Sequence, residues 1–251
     1  MASNFSSIGM AVRSEEELTA LILKAAETAV EVSCAEGGYL RWTSEQGAEL
    51  WLQLDGAGHI VGATPYFSGK SAMRVALTAA VAKPDDTPLE GAVHGWADPQ
   101  GDEPESGAYP FVFDVVDRAV HGDLDFPVTC DARLSAFARE LLLFETEEAF
   151  DASQDGDVRF ASESFFPAGL FTPDDGATEP PQSFAIFTGR ILDTAEFENP
   201  LTGDGYVWMH VRTLGGEFDV VSDPELIETA PVIGGIASGT FWLCGRIRPR
   251  E

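Results

Sequence analysis

Residues 239–247, Gly239-Thr240-Phe241-Trp242-Leu243-Cys244-Gly245-Arg246-Ile247, are the clearest strand of the chain. Upstream, residues 184–192, 206–213 and 217–222 also predict strands, with a turn at 199–203. Asp223 followed by Pro224 predicts the start of a short helix, because aspartate caps a helix and proline suits its first position. The last quarter of the chain is therefore predicted to be three strands, a short helix and a closing strand.

This order of elements resembles a small OB-like β-barrel. The resemblance is carried by Phe187-Thr188-Gly189-Arg190-Ile191 at one end and by residues 239–247 at the other. An OB barrel has five strands, and residues 231–237 are a poor candidate for the missing one. The barrel is therefore incomplete, or it takes its fifth strand from elsewhere in the chain.

The preceding residues predict a largely antiparallel sheet with two helices. Ser14 and Glu17 match a capping box, and apolar residues spaced by three and four continue that first helix to about residue 32. Strands are predicted at 8–12, 49–55, 73–82 and 109–116, and a second helix over 131–150. The predicted fold class is α+β, with an α+β domain at 1–171, a linker at 172–183 and the OB-like barrel at 184–251.

The N-terminal order of elements carries a second, weaker resemblance. A strand, a helix and three strands over residues 8–62 are similar to a glyoxalase-type βαβββ module. That family carries a metal-binding histidine on its first strand, whereas this strand is Ile8-Gly9-Met10-Ala11-Val12. The resemblance therefore implies binding of a ligand or a partner rather than a metal-dependent rearrangement.

The chain is strongly acidic, with 42 Asp and Glu against 15 Lys and Arg and a net charge of −27. Residues 83–183 alone hold 23 of these acids against 5 bases. Negative charge of this density repels nucleic-acid backbones and anionic lipid, and it attracts basic proteins. We therefore expect no nucleic-acid or membrane partner, and we expect a basic protein as the partner.

A candidate ligand face lies on the predicted strand 206–213. Trp208, His210 and Arg212 share one side of that strand, where they could stack on a ring or hold an anion. The alternative is that this side packs against the rest of the chain. Trp51 likewise belongs either to a shallow binding platform or to the face on which the first helix lies.

A candidate calcium loop follows the second predicted helix. Asp151, Ser153, Asp155 and Asp157 stand at the spacing of the early ligands of an EF-hand loop. The twelfth position, however, is Ser162 instead of glutamate. A solvated acidic turn is therefore the alternative interpretation of this segment.

No nucleophile elbow, phosphate loop or dinucleotide fingerprint occurs in the sequence. The start lacks the pattern of a secretory signal, and three scattered cysteines argue against a disulfide framework, so the expected compartment is the cytoplasm. The first functional hypothesis is a non-enzymatic protein-binding module. The alternatives are a small-molecule-binding or metal-assisted enzyme with a pocket between sheet and barrel, and an acidic inhibitor that imitates nucleic acid.

Overall fold

The computed structural model describes residues 3–84, 86–101, 103–155, 159–170 and 180–249. These ranges contain two α-helices and thirteen strands, arranged in one four-stranded antiparallel sheet and one large mixed sheet. The predicted α+β class is confirmed. Among the residues described, no helix has the length and apolar character needed to span a membrane.

The small sheet and the first helix come from the N-terminal region. The helix is α1, Glu15–Ala26, and the strands are β1, Val30–Cys34, β2, Gly37–Thr43, β3, Ala48–Leu54, and β4, Ile60–Phe67. The predicted cap is confirmed, since the Ser14 side chain accepts a hydrogen bond from the Glu17 backbone N–H. The carboxylate of Glu17 in turn accepts one from the Arg13 backbone N–H at 2.7 Å. This local chemistry defines where α1 begins.

The strand predicted at 8–12 does not form. Residues Ser6–Ile8 make a single 3-10 turn, and Gly9 follows with a left-handed φ of 69°. Ile8 and Met10 are fully buried. This apolar segment therefore packs into the core without forming a strand. The element order that resembled a βαβββ module consequently lacks its first strand.

The large sheet holds the other nine strands. They are β5, Met73–Val81, β6, Ala92–Ala97, β7, Pro110–Val115, β8, Val128–Phe144, β9, Ser164–Phe166, β10, Phe184–Glu198, β11, Gly205–Thr213, β12, Gly216–Ser222, and β13, Ile236–Pro249. Their order is β11-β12-β8-β5-β6-β7-β13-β10-β9, with additional pairings of β10 with β11 and of β8 with β13. The sheet as a whole does not close cleanly into a barrel.

The helix predicted at 131–150 is wrong over most of its length. Those residues form the long strand β8, and the second helix, α2, spans only Glu147–Ser153. Ala132, Leu134, Ala136 and Ala138 alternate into the core, while Phe137 is buried on the other face. Burial on both faces hides the period of two, and antiparallel pairing with β13 along most of the strand stabilises it.

Strand pairings form two five-membered circuits within the large sheet. One contains β10, β11, β12, β8 and β13, and the other contains β5, β6, β7, β13 and β8. The first contains the C-terminal strands that were expected to form an OB-like barrel, and its fifth strand is β8, from residues before 184. Residues 184–251 therefore do not complete this circuit by themselves.

The two circuits repeat the same plan. In each half, three antiparallel strands and a 3-10 helix, at Arg118–His121 or Pro224–Leu226, precede a long fourth strand. That fourth strand pairs antiparallel with the first strand of its own half and parallel with the third strand of the other half. The sequence Phe-Asp-Val-Val occurs at both third strands: at 113–116, where it extends one residue beyond β7, and at 218–221, within β12. The two halves thus share one order of elements and one pattern of strand pairing.

The predicted linker at 172–183 falls mainly on residues outside the described ranges, and the division into two domains stays a prediction. Pairing of β8 with β13 does join strands from both sides of it. The small sheet packs over the middle of the large sheet, in a shared core that includes Trp51, Tyr66, Phe137 and Trp242. This layering creates the surfaces between the sheets.

Candidate functional site

The predicted ligand face of β11 is largely packed. Trp208 is 5% exposed, and its indole N–H donates to Asp219 Oδ1 at 2.8 Å. The ammonium group of Lys70 lies 5.1 Å from the centroid of the Trp208 ring. His210 Nε2 lies 2.9 Å from a carboxylate oxygen of Glu217. The side chains of Asp219, Lys70 and Glu217 therefore contact this face of β11 and leave no open ligand surface at Trp208 and His210.

Arg212 continues that face toward solvent. Its side chain is about half exposed, and its Nη2 lies 3.2 Å from Glu163 Oε1. Arg190 also lies near Glu163 and pairs with Glu147 at 2.5 Å. The guanidinium group of Arg212, which was predicted to hold an anion, is thus paired with the carboxylate of Glu163.

Trp51 is buried between two arginines. It is 1% exposed, and the guanidinium carbons of Arg41 and Arg246 lie 5.3 and 4.9 Å from the ring centroid. Arg246 belongs to β13, and its Nε donates to Asp117 Oδ2 at 2.9 Å. The large sheet, through Arg246, therefore covers Trp51, and the structure does not bring Trp51 together with the face of β11 in one open cleft.

The expected calcium ligands lie in and after α2. Asp151 and Ser153 are exposed residues of this helix, whose hydrogen bonding is incompatible with an open loop at these positions. Asp155 is exposed just beyond it, and Asp157 lies outside the described residues. In the part of the chain that the structure describes, no group of three or more His, Cys, Asp or Glu is arranged to hold a metal ion. Calcium binding stays a prediction that this placement does not favour.

The acidic side chains of the central segment are spread over several loops. Exposed examples are Glu103 and Glu105 between β6 and β7, Asp125 before β8, and Glu145 and Glu148 around α2. The distribution of acidic residues alone therefore does not identify one surface as the candidate site. Shape has to be considered together with charge.

Three adjoining clefts meet at one place between the sheets. Their volumes are about 130, 470 and 500 Å³, and all three are lined by Lys83, Asp86 and Glu90. We call this surface the Lys83 groove. The smallest cleft, its inner cavity, also contacts Gln53 and Trp242. The groove thus combines residues of the small sheet, of the β5–β6 loop and of β13.

Tyr39 of the small sheet positions the loops beside the groove. Its hydroxyl donates to the Leu89 carbonyl at 2.5 Å and accepts from the Ala119 backbone N–H at 3.1 Å. Burial raises the pKa of Tyr39 to about 12, so the hydroxyl remains a hydrogen-bond donor at neutral pH. This one side chain ties both the 87–90 loop and the 118–121 turn to the small sheet.

Carboxylates dominate the electrostatics of the groove. Asp114 accepts hydrogen bonds from Lys83 Nζ at 2.6 Å, from Ser183 Oγ at 2.8 Å and from Trp242 Nε1 at 2.6 Å. Burial raises the pKa of Asp86, and the neighbouring negative charges of Glu90 and Asp114 raise it further against the opposing charge of Lys83. In the inner cavity, Lys83 thus faces three carboxylates, those of Asp86, Glu90 and Asp114.

The sequence analysis missed this groove. Asp114 and Trp242 are 128 residues apart in the chain, and the pairing of β7 with β13 brings them together. A usable signal was present, because the Phe-Asp-Val-Val repeat marks Asp114 and Asp219 as equivalent positions. Recognising the repeat would have drawn attention to both aspartates.

Comparisons of the chain with protein-family models, with curated proteins and with solved structures found no match. Function therefore has to be argued from the geometry and charge of the groove.

Proposed function

We propose that this protein is a non-enzymatic cytoplasmic binding module that takes a basic segment of another protein into the Lys83 groove. The observation that carries the proposal is that three clefts meet at Asp86 and Glu90, beside Asp114, with Lys83 as the one basic residue common to all three. Opposite charge at such a surface accelerates encounter and selects the partner.

Two further bases, Arg118 and Arg139, each line one of the two wider clefts, and four bases elsewhere in the chain are paired internally. Arg41, Lys70, Arg190 and Arg246 each lie in an ion pair with a carboxylate of the chain itself. They are therefore already committed to internal contacts and do not offer a site for an acidic partner. The two larger clefts, of about 470 and 500 Å³, adjoin the inner cavity at Lys83, Asp86 and Glu90, which provides room for a segment of several residues.

A second candidate is a small polar molecule in the inner cavity. Gln53, which is 3% exposed, lines this cavity and donates to Thr64 Oγ1 at 3.3 Å. Buried amide and hydroxyl groups of this kind orient small ligands. This candidate corresponds to a pocket between the two sheets.

The test uses a fluorescent nine-residue peptide in which glycine alternates with lysine or arginine. We expect the double variant Asp86→Asn, Glu90→Gln to bind it about tenfold more weakly at low salt, because each lost charge pair contributes roughly 0.2–1 kcal/mol. High salt should reduce binding by the intact protein. Fluorescence anisotropy measures both effects.

The matched control is Glu196→Gln with Glu198→Gln, which removes the same charge from exposed positions outside the groove. We expect this variant to retain almost all of the affinity. Equal weakening of both double variants would show that only net charge matters, and would contradict the proposal. Salt-independent binding would favour the small-molecule candidate instead.

A further inference from the structure

We infer that the cleft of about 500 Å³ beside Arg139 holds a carboxylate of the bound segment, so that the partner combines basic residues with one acidic group. This inference rests on the proposed function and deepens it. It assigns a charge of the opposite sign to one position of the segment, and it thereby gives the segment a direction in the Lys83 groove.

A bulge in β8 places Arg139 at this cleft. Phe241 of β13 pairs with Ala138, and the preceding Thr240 pairs with Glu140, so Arg139 is an extra residue in the register of these two strands. Ala138 is buried in the core, whereas Arg139 and Glu140 are both exposed. Bulges re-aim side chains and are frequent beside functional sites. The irregularity of β8 therefore directs an additional side chain out of the sheet.

Arg139 differs from two other arginines that lie over an aromatic ring. Arg41 and Arg246 lie over Trp51, and each also pairs with a carboxylate of the chain itself. The guanidinium carbon of Arg139 lies 5.8 Å from the centroid of the Phe184 ring. Within the part of the chain that the structure describes, however, Arg139 forms no ion pair with an Asp or Glu. An aromatic ring thus orients this guanidinium, and its donors remain available to a ligand.

Charges of both signs line the cleft, and they come from different elements. Arg139 belongs to β8, while Asp86 and Glu90 belong to the β5–β6 loop. Lys83 also lines the cleft, but it is paired with Asp114. A segment that places a base beside Asp86 and Glu90 is therefore complementary to the whole cleft when it also carries an acidic group beside Arg139.

A carboxylate fits this position better than a phosphate. The planar fork of a guanidinium forms two parallel hydrogen bonds with a planar carboxylate. A phosphate monoester carries nearly two negative charges at neutral pH, and the carboxylates of Asp86, Glu90 and Asp114 line the same cleft and would repel it. The carboxylate belongs to an acidic side chain or to the C-terminus of the partner, and the test separates these two sources.

The test uses the alternating basic peptide, blocked at both ends, with glutamate replacing one glycine at a time. Matched peptides carry glutamine at the same positions, and one further peptide has a free C-terminal carboxylate. Elsewhere, glutamate should weaken binding, because the protein has a net charge of −27. At one position, or at the free terminus, we expect the carboxylate to strengthen binding about threefold over its uncharged match. Fluorescence anisotropy measures this ratio.

Arg139→Gln should abolish the preference. The matched control is Arg13→Gln, which removes an exposed arginine outside all three clefts and should retain it. A second measurement needs no substitution. In the intact protein, the NMR signal of the Arg139 Nε–H should shift when the preferred carboxylate peptide binds, and it should stay in place with the uncharged match.

The inference is overturned if no carboxylate is preferred, or if the preference survives in Arg139→Gln or is lost equally in Arg13→Gln. The double variant Asp86→Asn, Glu90→Gln should bind both peptides of a matched pair more weakly and keep their ratio. Affinity that does not depend on Asp86 and Glu90 would instead overturn the proposed function, while the ratio would still report on Arg139. The two failures are therefore distinguishable.

Discussion

Asp114 and Asp219 occupy the same position in the two halves of the large sheet, and they differ in access. At Asp219, the short connection from β4 to β5 lies on the carboxylate and donates two backbone N–H groups at 2.9 and 2.8 Å. At Asp114, the segment before β10 contributes only a serine hydroxyl, and a lysine from another loop completes the site. The small sheet enters directly before the first half, so it breaks the symmetry of the repeat.

This difference shows that equivalent positions of the two halves can differ in solvent exposure, because different segments of the chain pack over the two aspartates. A buried carboxylate with three fixed donors stabilises the folded chain, because each donor would otherwise be left without a partner. At Asp114, the equivalent carboxylate borders a cavity of about 130 Å³, and its side chain is 24% exposed. The comparison leads to three predictions about stability, ordered by size.

The largest expected effect comes from replacing the two aspartates in turn. Asp219→Asn should lower the free energy of unfolding by about 3 kcal/mol, since the amide nitrogen would face a buried donor. Asp114→Asn should cost about 1 kcal/mol, because water in the cavity can replace the lost acceptor. Urea denaturation of both variants measures the difference. Equal losses would contradict the assignment of one site as sealed and the other as open.

A smaller effect is expected from Gly69→Ala. The new methyl group would lie 2.2 Å from Asp219 Oδ1, and that carboxylate cannot move without losing its donors. We expect a loss of about 2 kcal/mol in unfolding free energy, as is typical of overpacking. Gly56→Ala is the matched control, because its Cβ would meet no atom within 4 Å, and it should change stability by less than about 0.5 kcal/mol. Similar losses in both variants would indicate a general glycine effect.

The smallest expected effect concerns pH and Asp117, which follows the first Phe-Asp-Val-Val where Ser222 follows the second. Burial would raise the pKa of Asp117, but hydrogen bonds and charge from His121 and Arg246 outweigh it and lower the pKa below its ordinary value. The ionised group therefore stabilises the fold above the unfolded-state pKa of about 3.9, and this contribution is lost as pH falls through the lower folded-state value.

Asp117→Asn should consequently be about 1 to 2 kcal/mol less stable than the intact protein at pH 7, and the gap should narrow below about pH 4. Ser222→Ala supplies the comparison from the other half, where no titratable group stands at this position. Its difference from the intact protein should show no such acid dependence. A constant gap for Asp117→Asn down to the lowest pH would contradict the assigned role of the ionised carboxylate.

Several elements could be predicted because their determinants are close together in the chain. The cap of α1 depends on Ser14 and Glu17, and alternation over residues 49–55 predicted the strand that forms at Ala48–Leu54. The strands near 73–81 and 206–213 were likewise confirmed. The sequence left open that a strand from elsewhere in the chain would join the C-terminal strands, and it did not identify β8 as that strand.

The candidate site could not be predicted in the same way. For Trp208 and Trp51, the sequence left open whether each lies on a ligand face or packs against the chain. Contacts from Lys70 and Arg246, which are distant in sequence, cover these two rings. The groove likewise needs Gln53, Asp114 and Trp242 to meet. Strand patterns indicate which residues share a face, but they do not indicate which other strand covers that face.

By itself, the sequence determined the acidity of the chain, the α+β class and the start of α1, since composition, alternation and capping act within a few residues. Only the tertiary structure decided that residues 128–144 extend as a strand, that each half completes the circuit of the other, and that Asp114 stays open while Asp219 is closed. Those outcomes depend on backbone hydrogen bonds and packing between segments that are far apart in the chain. Local sequence patterns do not predict the free energy of such long-range contacts.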